Sequence, residues 1–399
     1  MKILFVDTTN DDIRVGGGHM YLPGLMGGLV RAGHDVHLAV KAQPNKIVRN
    51  QIYESGAIVS ERPWKIAGLV EDTSGLFAEW VNRLSPDVYL ISGSYDIGWT
   101  ALPYIVPNIA TMMIAHNDSN TFYLPVKHYS EFLTRVVGVS EAICRNFIIE
   151  SEMNDDSVEW IPYGVETSST VPHDNKLKRV GPSLIYVGRL DEHQKRISDL
   201  IRVIRLLSER GIDFRFDIVG DGEEMPKVKD LLSEQIERGN VVLHGWLGSA
   251  EVIDLLRKSD VFTLVSAYEG FCIALVEAMA NGCCPVVTDI RSGNKQLVTD
   301  GENGFVVPVG DVEAFVEKIV YLAETPEKLL EFRQKAWRTG KQYSVERMVE
   351  AYEKCFERAV HDARATPRRP QPDFPLMESC RSKYPLWLRR IKAKAKSFV

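Results

Sequence analysis

Short apolar runs alternate with amphipathic segments along most of the chain, as expected of repeated βα units. The first run, residues 2–7, precedes a glycine-rich loop and a segment of helical periodicity from His19 to Arg31. Because the runs are apolar on both faces, they predict buried strands of a parallel sheet that helices cover on both sides. Four further strands are predicted at 34–40, 88–92, 109–115 and 135–140.

This alternation begins again after a polar and charged stretch at 166–182, which predicts a second sheet. An amphipathic helix between its first two strands places five apolar residues on one stripe and ends at Gly211. We therefore predict an α/β fold of two Rossmann-like parallel-sheet domains facing across a cleft, at 1–170 and 171–345. In such sheets ligands bind beyond the carboxyl ends of the strands. The second set of strands comprises 183–188, 214–220, 241–245, 260–266 and 283–288, and the stripe comprises Ile197, Leu200, Ile201, Ile204 and Leu207.

The composition is that of a globular protein without a nucleic-acid partner. The 399 residues are 45% hydrophobic and 26% charged, and the net charge of -6 argues against general binding to nucleic acid. Six cysteines lack CxxC pairs and metal-type spacing, so we interpret them as reduced thiols. The apolar run at 3–6 is too short for a signal peptide, and no run approaches the roughly 20 residues of a membrane helix. These features predict a cytoplasmic protein.

Two carboxylates lie in the segment 269–282, around a predicted helix. Glu269 precedes the helix, next to free backbone amides and the positive end of the helix dipole. Glu277 lies inside an apolar run, where a carboxylate is expected to be buried and to need hydrogen-bond donors. The two suit a ligand with both hydroxyl and phosphate groups. The alternative is structural, with Glu269 as a helix cap and Glu277 as a buried ion-pair partner.

Two cations lie in the loop after the strand at 183–188. Arg189 offers a planar fork, and Lys195 offers a point charge six residues later. Their position at the carboxyl end of a strand, ahead of a helix N-terminus, predicts a clamp for a diphosphate. Ordinary solvated loop charges are the alternative.

Two weaker candidates lie in the first half of the chain. Gly16, Gly17 and Gly18 follow the first strand and would let a ligand approach the backbone, although they match neither the dinucleotide fingerprint nor a P-loop. His116 directly follows the strand at 109–115 and would donate a hydrogen bond to a sugar hydroxyl. A flexible turn and a structural histidine are the respective alternatives.

Together these motifs resemble the retaining GT-B glycosyltransferases of glycosyltransferase family 4, over about residues 1–355. The segment from Glu269 to Glu277 resembles the family's E-x7-E signature, and GRLDEHQK at 188–195 resembles its phosphate motif. Further segments in the expected order are 161–165, 218–224 and 300–307, whereas Tyr163 and the loop 292–296 depart from the family pattern.

The resemblance implies a nucleotide-sugar donor bound mainly by the second domain, without a metal or other cofactor. Arg189 and Lys195 would bind the diphosphate in place of a metal ion, Glu269 the donor sugar and Glu277 the ribose hydroxyls. A helix at 346–362 would cross back to the first domain. The residues predicted to be catalytic are His116, Arg189, Lys195 and Glu269. Those predicted to bind the donor are Gly16, Gly17, Trp246, Leu247, Gly270, Phe271, Cys272 and Glu277.

We predict a retaining, metal-independent transferase that moves a hexose-type sugar from a UDP- or GDP-linked donor to a glycan, lipid-linked or small-molecule acceptor. The leaving diphosphate, stabilised by the two cations, would accept the acceptor's proton on the same face. The alternatives are a nucleotide-sugar epimerase or phosphorylase of the same fold and a non-catalytic binding or scaffold subunit. The incomplete glycine fingerprint disfavours a Rossmann dehydrogenase.

The C-terminal segment 363–399 differs in composition from the rest of the chain. It is rich in proline from Pro367 to Pro385, and its residues 381–399 carry seven Lys or Arg and no acid. On a helix, Trp387, Leu388, Ile391, Ala395 and Phe398 would share one face. This pattern predicts peripheral contact with an anionic membrane at its inner face. A solvated tail is the alternative.

Overall fold

A computed structural model describes residues 1–7, 17–40, 52–61, 70–92, 96–170, 181–290 and 293–367, together with positions 370, 371, 374 and 377. The chain divides into two compact units. Unit 1 comprises the described residues of 1–162 and of 348–399, and unit 2 comprises those of 163–347. The boundaries predicted from the sequence, at 170 and 345, lie a few residues from these divisions.

The described residues of unit 1 form a seven-stranded sheet in which all neighbouring strands are parallel, in the order β3-β2-β1-β4-β5-β6-β7. The central strands β4 and β5 are buried along their whole length, as expected where both faces of a sheet are covered. The strands are β1 (Lys2–Val6), β2 (Asp35–Val40), β3 (Ile58–Glu61), β4 (Val88–Ile91), β5 (Ala110–Ala115), β6 (Arg135–Gly138) and β7 (Val158–Trp160).

Helices follow most of these strands. Ser119 and Ser140 start two of them as N-caps, because each hydroxyl accepts a hydrogen bond from an amide of the first turn. The helices are α1 (Gly17–Arg31), α2 (Val70–Leu84), α3 (Ile97–Thr100), α4 (Asn120–Tyr129) and α5 (Glu141–Ser151). Short 3-10 helices cover Leu102–Tyr104, Ser130–Phe132 and Asp155–Ser157.

Unit 2 contains a six-stranded parallel sheet in the order β10-β9-β8-β11-β12-β13. Its strands are β8 (Ser183–Val187), β9 (Arg215–Val219), β10 (Val241–Gly245), β11 (Val261–Leu264), β12 (Cys284–Asp289) and β13 (Phe305–Pro308). Its helices are α6 (Ile197–Glu209), α7 (Met225–Leu231), α8 (Ser233–Glu237), α9 (Ser249–Lys258), α10 (Ile273–Ala280), α11 (Asn294–Leu297), α12 (Val312–Glu324) and α13 (Pro326–Gly340). The apolar stripe predicted for α6 is buried in the core of this unit.

A last long helix, α14 (Val345–Ala365), belongs to unit 1 from Met348 on. Arg135 of β6 joins the helix to the sheet, because its guanidinium lies 2.7 Å from Asp362 of α14 and 2.7 Å from Glu159 of β7. Arg358 adds a second contact to Glu159 at 2.8 Å. Helix α14 is therefore attached to the unit in which the chain begins.

The predicted fold, two α/β units with parallel sheets, is confirmed, and every strand predicted from the sequence is present. The strands that were missed are β3, β7 and β13, and all three lie at sheet edges. β3 and β7 contain polar or charged residues and so lack the continuous apolar run by which the inner strands were recognised. β13 is apolar and was missed all the same, whereas β10, the other edge strand of its sheet, was predicted.

The described cysteines agree with the prediction of reduced thiols. The five described cysteines are free, and Cys283 and Cys284 are buried in the core as small apolar residues. Burial raises the pKa of the Cys283 thiol to about 12. Among the described helices, none is long and apolar enough to span a bilayer.

Candidate functional site

The loops that follow β8 and β11 meet at one end of the unit 2 sheet. The two strands are neighbours there, although two other strands separate them in the sequence. The amide of Ala267 donates to the carbonyl of Gln194 at 2.8 Å and so joins the two loops. A crevice of this kind, where the strand order reverses, is the usual ligand site of open α/β sheets.

Lys195 and Glu269 form a buried ion pair between these loops. Nζ of Lys195 lies 2.5 Å from Oε1 of Glu269, which also accepts a hydrogen bond from Ser266 Oγ at 2.7 Å. The two residues are only 9% and 7% exposed. Burial lowers the pKa of Lys195, but the charge of Glu269 and other nearby groups more than offset this, so the net pKa lies above its ordinary value. The loops therefore hold a protonated lysine whose charge is paired with Glu269.

Gln194 connects Arg189 to Glu269. Its amide oxygen accepts a hydrogen bond from Nη2 of Arg189 at 2.6 Å. Its amide nitrogen donates to Oε2 of Glu269 at 3.1 Å and to the carbonyl of Tyr268 at 3.2 Å. The Arg189 side chain is 50% exposed and lies 3.5 Å from Asp191 Oδ2. Its guanidinium is thus oriented yet accessible, as recognition of an anion requires.

Close backbone packing fixes the loop that carries Arg189. Tyr186 donates its phenolic hydrogen to the carbonyl of Arg189 at 2.7 Å. Gly220 has a φ of +133°, and a Cβ on it would lie 1.8 Å from the carbonyl oxygen of Gly188. Only glycine permits this approach between the end of β9 and the loop after β8.

The segment 270–272 leads into the N-terminus of α10. Cys272 is the N-cap residue, but its side chain makes no capping hydrogen bond, so amides of the first turn remain for a ligand. Phe271 is buried, with its ring centroid 5.8 Å from that of Tyr163. A Cβ on Gly293 would lie 2.7 Å from Cδ2 of Phe271, so this loop packs directly against the ring. Burial raises the pKa of Cys272 to about 12, and its thiol stays neutral.

Glu277 lies half-buried in α10. The sequence led us to expect hydrogen-bond donors for its carboxylate, but the described residues supply none. Burial, followed by the charge of Glu166, raises the pKa of Glu277 to about 7. A carboxylate without protein donors can accept hydrogen bonds from two hydroxyl groups of a ligand.

Trp246 and Leu247 lie in the loop after β10. Trp246 is 42% exposed and Leu247 is half-buried. Gly220 donates its amide hydrogen to the carbonyl of Gly245 at 2.8 Å, so this loop is joined to the end of β9. An exposed indole at this end of the sheet offers a flat apolar face to an aromatic base.

In unit 1, His116 lies at the carboxyl end of β5. Its Nε2 lies 2.8 Å from the carbonyl oxygen of Ser92 and therefore donates to it, since a carbonyl can only accept. Tyr21 contacts Ser92 Oγ at 2.8 Å, and its ring lies 5.1 Å from that of His116. The predicted hydrogen bond from His116 to a sugar stays a prediction. Gly16 lies outside the described residues, and Gly17 is the first residue of α1.

The structure thus brings Arg189, Lys195 and Glu269 together beyond the carboxyl ends of β8 and β11, the two central strands of unit 2. Two neighbours of this group were not predicted, namely Gln194 and Ser266. Both occupy loops that follow strands, which is the only sequence signal that could have identified them. Neither residue type is diagnostic of a site when it stands in a loop.

The sequence of unit 2 matches a known family. Residues 171–339 match the profile of the family described as Glycosyl transferases group 1. The chain is also 24% identical over 299 residues to the poly(glycerol-phosphate) alpha-glucosyltransferase of Bacillus subtilis (strain 168). That alignment covers 70% of this chain but only 43% of the relative.

A second relative and one solved structure are similar over more of their own length. The phosphatidyl-myo-inositol mannosyltransferase of Mycolicibacterium smegmatis is 27% identical over 310 residues, which is 73% of this chain and 77% of the relative. The structure of Anabaena HepE in complex with UDP-glucose superposes with a TM-score of 0.70 at 17% identity. It covers 89% of this chain and 99% of HepE, so the likeness in fold extends over both units.

Proposed function

We propose, because residues 171–339 match the profile of the glycosyl transferases group 1 family, that this protein transfers a sugar from a nucleotide diphosphate donor to a glycan or lipid-linked acceptor with retention of configuration. The observation that carries the proposal is the arrangement of Arg189, Lys195 and the N-terminus of α10 around the loops after β8 and β11. An accessible guanidinium, a buried ammonium and unpaired helix amides are the groups that bind a diphosphate. The solved structure of HepE contains UDP-glucose, which supports a UDP-linked donor.

The remaining contacts that we propose for the donor lie at the same end of the sheet. The Glu277 carboxylate would accept hydrogen bonds from the two ribose hydroxyls, because it has no donor among the described protein groups. The exposed face of Trp246 would pack on the base. Glu269, oriented by Lys195 and Gln194, would face the donor sugar.

In the proposed reaction the bond between the anomeric carbon and the diphosphate oxygen breaks. Arg189 and Lys195 stabilise the negative charge that gathers on the leaving diphosphate, which is the role that a metal ion has in other transferases. The acceptor oxygen bonds to the anomeric carbon from the same face, and its proton passes to the leaving diphosphate. No protein general base and no metal is required in this scheme.

The acceptor is proposed to lie at an anionic membrane surface on its cytoplasmic side. The basic segment 381–399 lies outside the described residues, but the chain leading to it is attached to unit 1. Phe374 packs on Phe132 with 4.8 Å between ring centroids, and the amide of Gln371 donates to the carbonyl of Pro103 at 2.7 Å. Because the preceding chain is attached to unit 1, binding of the basic segment 381–399 to the membrane would hold the enzyme close to a lipid-linked acceptor.

Calorimetric binding of UDP, GDP and ADP in the presence of EDTA tests the donor site. We expect one nucleotide to bind and Arg189→Ala to weaken it strongly, with Arg202→Ala, an exposed arginine on α6, as the matched control. Absence of binding by all three would instead favour a non-catalytic scaffold. Release of an epimerised sugar without acceptor would favour an epimerase.

Sedimentation with vesicles tests the membrane contact. The full chain and a chain without 381–399 are compared on vesicles of phosphatidylglycerol and on neutral phosphatidylcholine. We expect binding to the anionic vesicles only, and only by the full chain. Equal sedimentation of the two chains would reject the role of the tail.

A further inference from the structure

Gln194 uses both ends of its side-chain amide to join a cation to a carboxylate. We propose that Gln194 is a positioning residue, which couples the orientation of Arg189 to that of Glu269 in the proposed donor site. The inference rests on the proposed function, because it assigns Arg189 to the diphosphate and Glu269 to the sugar. The side-chain oxygen of Gln194 accepts a hydrogen bond from Arg189 at 2.6 Å, while its side-chain nitrogen donates one to Glu269 at 3.1 Å.

A neutral amide suits this position for an electrostatic reason. Its oxygen is the negative end of the amide dipole and faces the guanidinium of Arg189, and its nitrogen is the positive end and faces the carboxylate of Glu269. The amide therefore holds both groups without adding a charge that would neutralise either of them. A carboxylate at position 194 would neutralise Arg189 and repel Glu269.

The backbone of Gln194 is itself held from two sides, so that the side chain has a fixed origin. Its amide donates to Asp191 Oδ1 at 2.8 Å, and its carbonyl accepts from Ala267 at 2.8 Å. The first contact belongs to the loop after β8, and the second belongs to the loop after β11. Movement of either loop would therefore be transmitted to the amide.

The two partners depend on Gln194 to different degrees. The half-exposed Arg189 has Gln194 as its close hydrogen-bond partner, with Asp191 more distant at 3.5 Å. In Glu269, Oε1 is held by Lys195 and Ser266, whereas Gln194 is the partner of Oε2 among the described residues. Loss of the amide would free a long arginine side chain and one carboxylate oxygen while leaving the ion pair in place.

A double-mutant cycle measures whether Gln194 acts through Arg189. We expect Gln194→Ala to weaken UDP binding by about tenfold in the wild-type background, and by less than about twofold in Arg189→Ala. The exposed Gln342, mutated to Ala, is the matched control and should bind UDP as the wild type does. Equal weakening in both backgrounds would overturn the proposed coupling. If only GDP binds the wild type, GDP serves as the probe.

Gln194→Glu keeps the size of the side chain and provides the test if the alanine variant does not fold. The new carboxyl group can share one proton with Glu269 at low pH, which replaces the lost amide hydrogen bond. As the pH rises and that proton is lost, the new carboxylate should repel Glu269 and neutralise Arg189, so UDP affinity relative to the wild type should fall. The charged and titratable groups that face this pair are Lys195, Arg189, Asp191, His193, Tyr268, Tyr186 and Cys272.

The outcomes separate this inference from the proposed function. If the wild type binds no nucleotide, the proposed function fails and the inference fails with it. If the wild type and Gln342→Ala bind UDP while both Gln194 variants bind equally well at every pH, the inference alone is wrong. A purely structural role would lower the thermal midpoint without a pH-dependent change in the affinity ratio.

Discussion

Lys195 and Glu269 are 74 positions apart in the sequence, yet Nζ of the lysine lies 2.5 Å from a carboxylate oxygen of the glutamate. Both side chains are almost fully buried, so the pair is shielded from water and salt. The neighbouring cation, Arg189, is half exposed and bonded to a neutral amide. The two cations of the proposed site thus differ, because Lys195 is buried in an ion pair and Arg189 is half exposed.

This difference predicts unequal effects on stability for the two cations. Lys195→Ala leaves the buried Glu269 without its counter-ion, and breaking a buried pair typically costs about 3–5 kcal/mol of unfolding free energy. Arg189→Ala removes a half-exposed side chain and should change stability by less than about 1 kcal/mol. Denaturant unfolding of both variants measures the difference.

Both variants should lose activity for the same chemical reason. Each removes a charge that would stabilise the leaving diphosphate, so turnover should fall by about a hundredfold or more. Steady-state kinetics of Arg189→Ala is the cleaner test, because its fold is expected to be intact. Unchanged turnover in that variant would remove Arg189 from the mechanism.

The raised pKa of Glu277 predicts that nucleotide binding depends on pH. Its pKa of about 7 results first from burial and then from Glu166. In the proposed site only the ionised form would accept hydrogen bonds from both ribose hydroxyls. Affinity for UDP should therefore rise by about tenfold between pH 6 and pH 8, as the carboxyl group ionises. Glu277→Gln should bind more weakly and without this slope, which calorimetry at several pH values measures.

The same shift has the opposite sign for stability without ligand. A carboxyl group whose folded pKa exceeds its unfolded value lowers the unfolding free energy as the pH rises between the two values. For Glu277 this window runs from about 4.5 to about 7. Glu277→Gln should remove this loss, and equal pH slopes of unfolding in wild type and variant would contradict the assignment.

Much of the fold could be predicted because buried parallel strands are apolar on both faces and are recognisable one at a time. The edge strands β3 and β7 have no such pattern and were missed, and β13 was missed although it is apolar. The site could be predicted only in part for a related reason. Arg189, Lys195 and Glu269 stand after strands, but the bridging amide of Gln194 depends on contacts across 75 positions. No local pattern encodes such a contact.

Glu277 shows a different limit of sequence reasoning. Its apolar neighbours correctly indicated a carboxylate shielded from water, and the expectation of protein donors followed from the usual pairing of buried charges. Among the described residues the carboxylate has no hydrogen-bond donor, and burial raises its pKa instead. Glu277 is only half-buried, so the pairing rule for fully buried charges does not apply to it.

The close packing at Gly220 predicts a large effect of a single methyl group. A Cβ there would lie 1.8 Å from the carbonyl oxygen of Gly188, and the φ of +133° is one that other residues rarely adopt. Gly220→Ala should displace the loop that carries Arg189, lowering the thermal midpoint and UDP affinity together.

Gly239 provides the control for backbone strain alone. Its φ is +77°, and a Cβ there would contact nothing within 4 Å. Gly239→Ala should cost about 1 kcal/mol of stability and leave UDP affinity unchanged. Similar losses in the two variants would mean that conformational strain, and not the contact with Gly188, controls the loop.

The contact of Phe374 with unit 1 predicts how the basic tail is attached. Its ring packs at 4.8 Å from Phe132 and at 5.7 Å from Tyr129, and Gln371 adds a hydrogen bond to Glu131 at 2.8 Å. Phe374→Ala should remove this contact, so limited trypsin digestion should release the C-terminal part of the chain several-fold faster than in the wild type. Leu124→Ala, which removes an exposed apolar side chain from α4, should leave the cleavage rate unchanged. Because Phe374→Ala retains the basic tail, it should still bind anionic vesicles. Equal cleavage of Phe374→Ala and the wild type would show that the ring does not anchor the segment.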